Sequence, residues 1–88
     1  ELHDALAICL ALAAVDDDAY GRAAARFTAR WSVELPGVTL EETQALAAAM
    51  QALRLPETAA MGHHLLTALV ETRGLERMKR ALVEHGGR

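Results

Sequence analysis

Two adjacent histidines, His63 and His64, are the side chains of this sequence best suited to hold a metal or to move a proton. Successive residues of a helix point about 100° apart, so the two rings cannot share a metal as a pair four residues apart would. Neither ring has Asp, Glu or Cys four residues away. We therefore expect no metal site here. We interpret the histidines as partly buried, hydrogen-bonded rings or as pH-sensitive contacts.

Other catalytic patterns are also missing from the sequence. Cys9, the single cysteine, lies in an apolar stretch, where burial raises the pKa of a thiol and makes it inert. The carboxylates Asp16, Asp17 and Asp18 lack the glycine and the spacing of a calcium loop, and there is no glycine-rich phosphate loop. The sequence predicts no catalytic residue, no cofactor and no metal, so we do not expect an enzyme.

Basic residues form two groups that could contact an anionic partner. The first group is a row of arginines on the second predicted helix: Arg22, Arg26 and Arg30. The second group lies around the start of the last predicted helix: Arg73, Arg77, Lys79 and Arg80. The arginine row is either a solvated face or a contact to phosphate or to an acidic peptide. The basic last helix could lie on nucleic acid or on a membrane surface. The net charge of −3 gives no overall attraction to nucleic acid or to an anionic membrane. Because these two basic groups could still contact nucleic acid locally, a nucleic-acid-binding accessory domain is kept as the alternative function.

All three aromatic residues share one face of the second predicted helix. Phe27 follows Tyr20 by seven residues and precedes Trp31 by four, which places them on one stripe. One interpretation makes this stripe the anchor of the core, because each ring can bury roughly 150 to 250 Å². The other makes Trp31, near the helix end, a partly exposed interface residue for another chain.

The composition predicts that helices position these residues. The chain has 88 residues, the size of one domain, and contains 19 Ala and 14 Leu but only three aromatics. Strand-like alternation is absent from the sequence. We expect an all-α fold of five helices, with these limits: residues 2–14, from the aspartates at 16–18 to residue 34, 40–53, 56–73 and 75–84.

Three helix boundaries carry a specific signal. Thr39, with Glu42 three residues later, matches a capping box at the start of the third helix. Pro56 suits the first position of the fourth helix. Gly74 suits the left-handed residue that follows that helix.

A faint internal repeat of 38 residues places the first predicted helix on the third and the second on the fourth. Its period lies in the range of helical repeats, and Ala23 and Phe27 resemble part of the tetratricopeptide signature. However, Ala7 and Ala14 stand where that signature has Trp and Tyr. We expect a compact bundle of two helical hairpins and a closing helix, with a helical-repeat arrangement as the alternative.

The first predicted helix is apolar on all sides. A domain of this size buries only about 60% of its chain surface, so it has difficulty surrounding one helix completely. One apolar stripe should therefore face a partner or lie under the last helix; its residues are Ala5, Ile8, Leu12 and Val15. We predict a non-enzymatic protein–protein interaction or assembly domain, with a homodimer formed through the first helix as the preferred arrangement.

The start of the chain bears on its location. Residues 2–15 are too short for a membrane span and lack the basic region of a signal peptide. A single cysteine fits a reducing compartment, so we expect a cytoplasmic protein. Because the first residue is Glu and not Met, we expect the chain to be a piece of a longer protein.

One segment resembles a known group of proteins. The sequence AARFTARW at 24–31, followed by ELPGVTLEE at 34–42, is similar to short uncharacterised all-helical proteins of high-GC actinomycete bacteria. The resemblance covers the second helix, the Pro-Gly turn and the start of the third helix. It implies a bacterial source and an all-helical fold. It implies no activity and assigns no functional residue.

Overall fold

The computed structural model describes residues 1–86, and five helices account for most of them. The helices are α1 (Leu2–Leu12), α2 (Asp17–Glu34), α3 (Leu40–Ala52), α4 (Ala59–Arg73) and α5 (Glu76–Gly86). No strand occurs in the part of the chain that the structure describes, and the predicted all-α class is confirmed. None of these five helices has the length and apolar character needed to pass through a bilayer.

The helices form a ring of neighbours around one core. α1 packs against α2 and α3 packs against α4, which gives two helical hairpins. α5 closes the ring because it packs against both α1 and α4. The interface between α2 and α3 is the smallest in the ring. The predicted compact bundle of two hairpins and a closing helix is therefore confirmed.

The predicted caps at Thr39 and Gly74 are present, and Asp16 caps α2. The side chain of Asp16 accepts a backbone N–H from the first turn of α2 at 3.0 Å, and Thr39 Oγ1 accepts the N–H of Glu42 at 3.1 Å. Gly74 has a φ of 67°, the left-handed conformation that favours glycine after a helix. The other half of the capping box is not formed, because the carboxylate of Glu42 binds Arg73 instead.

The predicted start of α4 is wrong. The helix begins at Ala59 and not at Pro56, because the residues after α3 fold into successive turns. The Thr58 hydroxyl donates to the carbonyl of Ala52 at 2.7 Å, which ties these turns back to α3. The other predicted helix ends lie within two residues of the observed ones, a difference that the fraying of helix ends accounts for.

The core receives side chains from all five helices. Tyr20, Phe27 and Trp31 are each at most 1% exposed, and the rings of Phe27 and Trp31 meet edge to face with centroids 6.0 Å apart. The interpretation of the aromatic stripe as the anchor of the core is therefore confirmed. Leucines of the other helices pack in the same cluster: Leu2, Leu6, Leu46, Leu66 and Leu82.

Candidate interaction surface

The outer face of α1 is not covered by any helix within residues 1–86. α1 packs against α2 on one side and α5 on the other, and it buries Leu6 and Cys9. Ile8 is 57% exposed, and Val15, in the turn that follows the helix, is 78% exposed. Apart from the buried thiol, the sequence has no polar side chain from residue 5 to residue 15. This outer face is therefore apolar from Ile8 to Val15, whereas Asp4, one turn before Ile8, is exposed on the same side of the helix.

The exposed stripe is rotated slightly from the predicted one. Ala5 and Leu12 are half-buried and pack against the core, whereas Ala11 is exposed together with Ile8 and Val15. The rotation arises because α2 covers the side of α1 that carries Ala5, which lines the groove between the two helices. Of the four predicted interface residues, Ala5 and Leu12 are therefore only partly exposed, whereas Ile8 and Val15 are exposed. We call Ile8, Ala11 and Val15 the α1 stripe.

Trp31 does not belong to this surface. Its side chain has no exposed area, and its Nε1–H donates to the carboxylate of Glu42 in α3 at 2.8 Å. The prediction that Trp31 is a partly exposed interface residue is therefore wrong. Its position near the end of α2 suggested exposure, but the side chain turns inward to the α2–α3 interface.

Two grooves run beside the α1 stripe. The groove between α1 and α2 is lined by Ile8 and Arg26, and the groove between α1 and α5 is lined by Ala7 and Arg80. Asp4 lies at one end of both grooves. Two members of each predicted basic group thus stand on opposite sides of one apolar helix: Arg26 and Arg30 on α2, and Arg77 and Arg80 on α5.

Several residues of the predicted basic groups are paired with carboxylates. These ion pairs are Arg30 with Glu34 (2.7 Å), Lys79 with Glu71 (3.0 Å) and Arg77 with Glu1 (3.6 Å). The ion pairs formed inside residues 1–86 do not include Arg22, Arg26 or Arg80, and all three are exposed. Only part of the predicted basic surface is therefore available to a partner.

Arg73 belongs to a half-buried polar cluster and not to the basic surface. Its side chain is 18% exposed, and its Nη2 and Nε donate to Glu42 at 2.5 and 2.8 Å. The same carboxylate accepts the indole N–H of Trp31. These hydrogen bonds, that from Arg73 above all, hold the pKa of Glu42 below its ordinary value. The prediction that Arg73 takes part in an exposed basic patch is wrong.

A second polar cluster, at the start of α2, was not predicted. Arg54 Nε and Nη2 donate to the two carboxylate oxygens of Asp17, each at 2.8 Å, and this hydrogen bonding lowers the pKa of Asp17. Beside it, the buried hydroxyl of Tyr20 donates to the carbonyl of Met50 at 2.6 Å, and burial raises the pKa of Tyr20. The partners are at least 30 residues apart in the chain, so no local pattern indicates them.

The histidines and the cysteine show no arrangement that indicates catalysis within residues 1–86. His63 Nε2–H donates to the carbonyl of Leu82 at 2.9 Å, which links α4 to α5, whereas His64 is exposed. Desolvation raises the pKa of the Cys9 thiol to about 11, so it stays protonated at neutral pH. No group of three His, Cys, Asp or Glu side chains that could hold a metal occurs among the residues described.

Comparison with protein-family models, with curated proteins and with solved structures finds no match to this chain. A functional assignment must therefore be built on the geometry. The α1 stripe and the arginines beside it combine exposed apolar area with charge that is not paired within residues 1–86. That combination is typical of a surface that binds another molecule.

Proposed function

We propose that the chain is a protein-interaction domain without catalytic activity and that a partner docks on the α1 stripe. The observation that carries the proposal is the exposure of Ile8 and Val15 on a helix whose outer face is apolar beyond Asp4. Removing apolar surface from water contributes about 25 cal/mol per Å². A partner docked on the α1 stripe would therefore remove this apolar surface from water, which would stabilise the complex. The single cysteine suits a cytoplasmic location for this function.

A second copy of the chain is one form that the partner can take. In the homodimer expected from the sequence, the two α1 stripes would cover each other and both would leave water. Sedimentation of the purified chain over a wide concentration range measures this directly. A dimer that Ile8→Glu dissociates into a folded monomer would support both the docking surface and the homodimer.

Another exposed apolar residue provides a matched control. Met61, on α4, is 57% exposed, the same fraction as Ile8, but it lies on a helix that does not border α1. Introducing a glutamate at either position places a charge in water and should leave the fold intact. The two variants therefore differ in location and hardly at all in their cost to folding.

The test uses a photoreactive amino acid at position 11, within the α1 stripe. We expect a cross-linked product of defined mass in cell extract, which Ile8→Glu removes and Met61→Glu preserves. With the purified chain alone, a product of twice the chain mass identifies a second copy as the partner. No product at position 11, or equal loss in the two variants, would overturn the proposal.

The alternative of a nucleic-acid-binding accessory domain has less support. Arg73 is held in a half-buried cluster, and Arg30, Arg77 and Lys79 contact carboxylates of the same chain. Binding of nonspecific DNA that weakens steeply with salt would favour this alternative over the proposed function. The measurement should be made at low ionic strength, where phosphate contacts are strongest.

A further inference from the structure

The cations without an ion pair in residues 1–86 are not spread evenly over the surface. Those residues contain eight Lys and Arg side chains, of which five contact carboxylates of the chain. The remaining three are Arg22, Arg26 and Arg80. Arg26 and Arg80 line the two grooves on either side of α1, and Arg22 stands one helical turn from Arg26. The arginines without an ion pair in residues 1–86 thus lie beside the exposed α1 stripe.

We propose that the partner is an amphipathic helix with acidic residues along both edges of its apolar face, a proposal that rests on the proposed function. A helix packed on the α1 stripe would lie with its axis about 8 to 10 Å from that of α1. Its edges would then stand above the two grooves, where Arg26 and Arg80 are exposed. Arginine binds carboxylates through two parallel hydrogen bonds, which suits it to binding acidic residues along the edges of a helix.

The two grooves hold carboxylates as well as arginines. Asp4 lies in the first turn of α1, and Glu84 lines the α5 groove near the end of α5. At the start of α1, Arg30 and Arg77 also line the grooves, but each of them contacts a carboxylate of the chain. Arg26 and Arg80 are therefore the groove cations that have no ion pair within residues 1–86, and a partner carboxylate would bind there.

A second copy fits this surface less well than an acidic helix does. The α1 stripe of a second copy has no carboxylate between residues 5 and 15, so it offers Arg26 and Arg80 no acidic partner of its own. A helix with carboxylates along its edges supplies that partner.

The experiment uses two fluorescent peptides of the same length with an identical Leu and Ala face. One carries Glu along both edges of that face and the other carries Lys at the same positions. Fluorescence anisotropy measures their binding to the folded chain and to Ile8→Gln, Met61→Gln, Arg26→Gln and Gln44→Glu. Arg26→Gln and Gln44→Glu lower the net charge by one unit each, but Gln44 is an exposed residue of α3, away from α1.

We expect the Glu peptide to bind more tightly than the Lys peptide. Arg26→Gln should weaken its binding about two- to fivefold, the range of an exposed ion pair, while Gln44→Glu changes it little. Added salt should weaken the Glu peptide most. Equal binding of the two peptides, or an equal effect of Arg26→Gln and Gln44→Glu, would overturn the acidic partner.

The remaining variants separate this inference from the proposed function. If Ile8→Gln weakens both peptides and Met61→Gln weakens neither, the α1 stripe is the docking surface, whatever the partner's charge. If Ile8→Gln has no effect on a peptide that binds, the proposed function fails as well. A stable homodimer that the Glu peptide cannot dissociate would overturn the acidic helix in favour of a second copy. Binding to anionic vesicles with no binding of the Glu peptide would overturn it in favour of a membrane surface.

Discussion

The two ends of α2 are joined to the rest of the bundle by the same kind of contact in different surroundings. Near its end, Glu42 and Arg73 are 16% and 18% exposed, and the buried indole of Trp31 shares the carboxylate. At its start, Asp17 is 65% exposed and Arg54 is 29% exposed. Both contacts are arginine–carboxylate pairs with two hydrogen bonds. Burial is therefore the main difference between them.

Burial decides what is lost when either contact is broken. At the exposed end, water replaces the missing partner and salt screens the charges, so little stability is lost. At the other end, the indole N–H of Trp31, which has no exposed area, loses its acceptor. Since the α2–α3 interface is the smallest in the ring, we expect the Glu42 cluster to be the main polar link between the two hairpins.

Phe27→Ala should cause the largest loss of stability in α2, because Phe27 lies between the two ends and has no exposed area. We expect a loss of roughly 3 to 5 kcal/mol in the free energy of unfolding, from the lost burial and the cavity that remains. Urea denaturation measures the change, provided that the slope of the transition is preserved. A loss smaller than that caused by breaking the Glu42 cluster would show that polar contacts, not apolar packing, dominate α2.

Glu42→Ala should produce the next largest effect. It removes the acceptor of the buried Trp31 N–H, and an unsatisfied buried donor costs about 1 to 3 kcal/mol. Urea denaturation followed by indole fluorescence reports both the stability and the surroundings of the ring. The control is Glu41→Ala, an exposed position on the same turn of α3. Equal losses in the two variants would show that the cluster adds nothing beyond helix propensity.

The contribution of Glu42 should depend on pH. Its pKa is lower in the folded protein than its ordinary value of 4.5, so its stabilising effect is fully present above that value. The effect is lost as the pH falls from 4.5 through the lowered pKa, because in that range the unfolded state takes up a proton more readily than the folded state does. The difference in unfolding free energy between wild type and Glu42→Gln should therefore shrink in acid.

Urea denaturation of wild type and Glu42→Gln at a series of pH values from neutral to acid measures this difference. A difference between wild type and Glu42→Gln that stays constant into acid would contradict the assignment of the lowered pKa to Glu42.

The contrast between the two ends of α2 could not be predicted from the sequence. Thr39 and Gly74 were assigned correctly because a cap depends on residues within one helical turn. Glu42 suited a capping box equally well, but its carboxylate turns to Arg73, which is 31 residues away. In the same way, the apolar character of α1 was visible in the sequence, whereas the exposure of Ala11 depends on how α2 packs against α1.

Thr39 variants separate the helix cap from the neighbouring Glu42 cluster. Thr39→Ala removes the acceptor of the Glu42 backbone N–H and should cost about 1 kcal/mol, while Thr39→Asp should cost little because aspartate also caps helices. Thermal unfolding of the two variants side by side gives the comparison. If both variants lose the same stability, the hydroxyl does not act as a cap.

Asp17→Asn should have the smallest effect of the series. Asparagine keeps the size of the side chain and one acceptor oxygen, and water can solvate Arg54 because the pair is exposed. The buried bond from Tyr20 to the carbonyl of Met50 remains, so the start of α2 stays in place. We expect a stability loss well below that of Glu42→Gln, and one that shrinks further at high salt because the lost attraction is already screened. Thermal midpoints of the two variants at low and high ionic strength make the comparison. A loss at Asp17 as large as at Glu42, or one unaffected by salt, would mean that burial does not distinguish the two ends of α2.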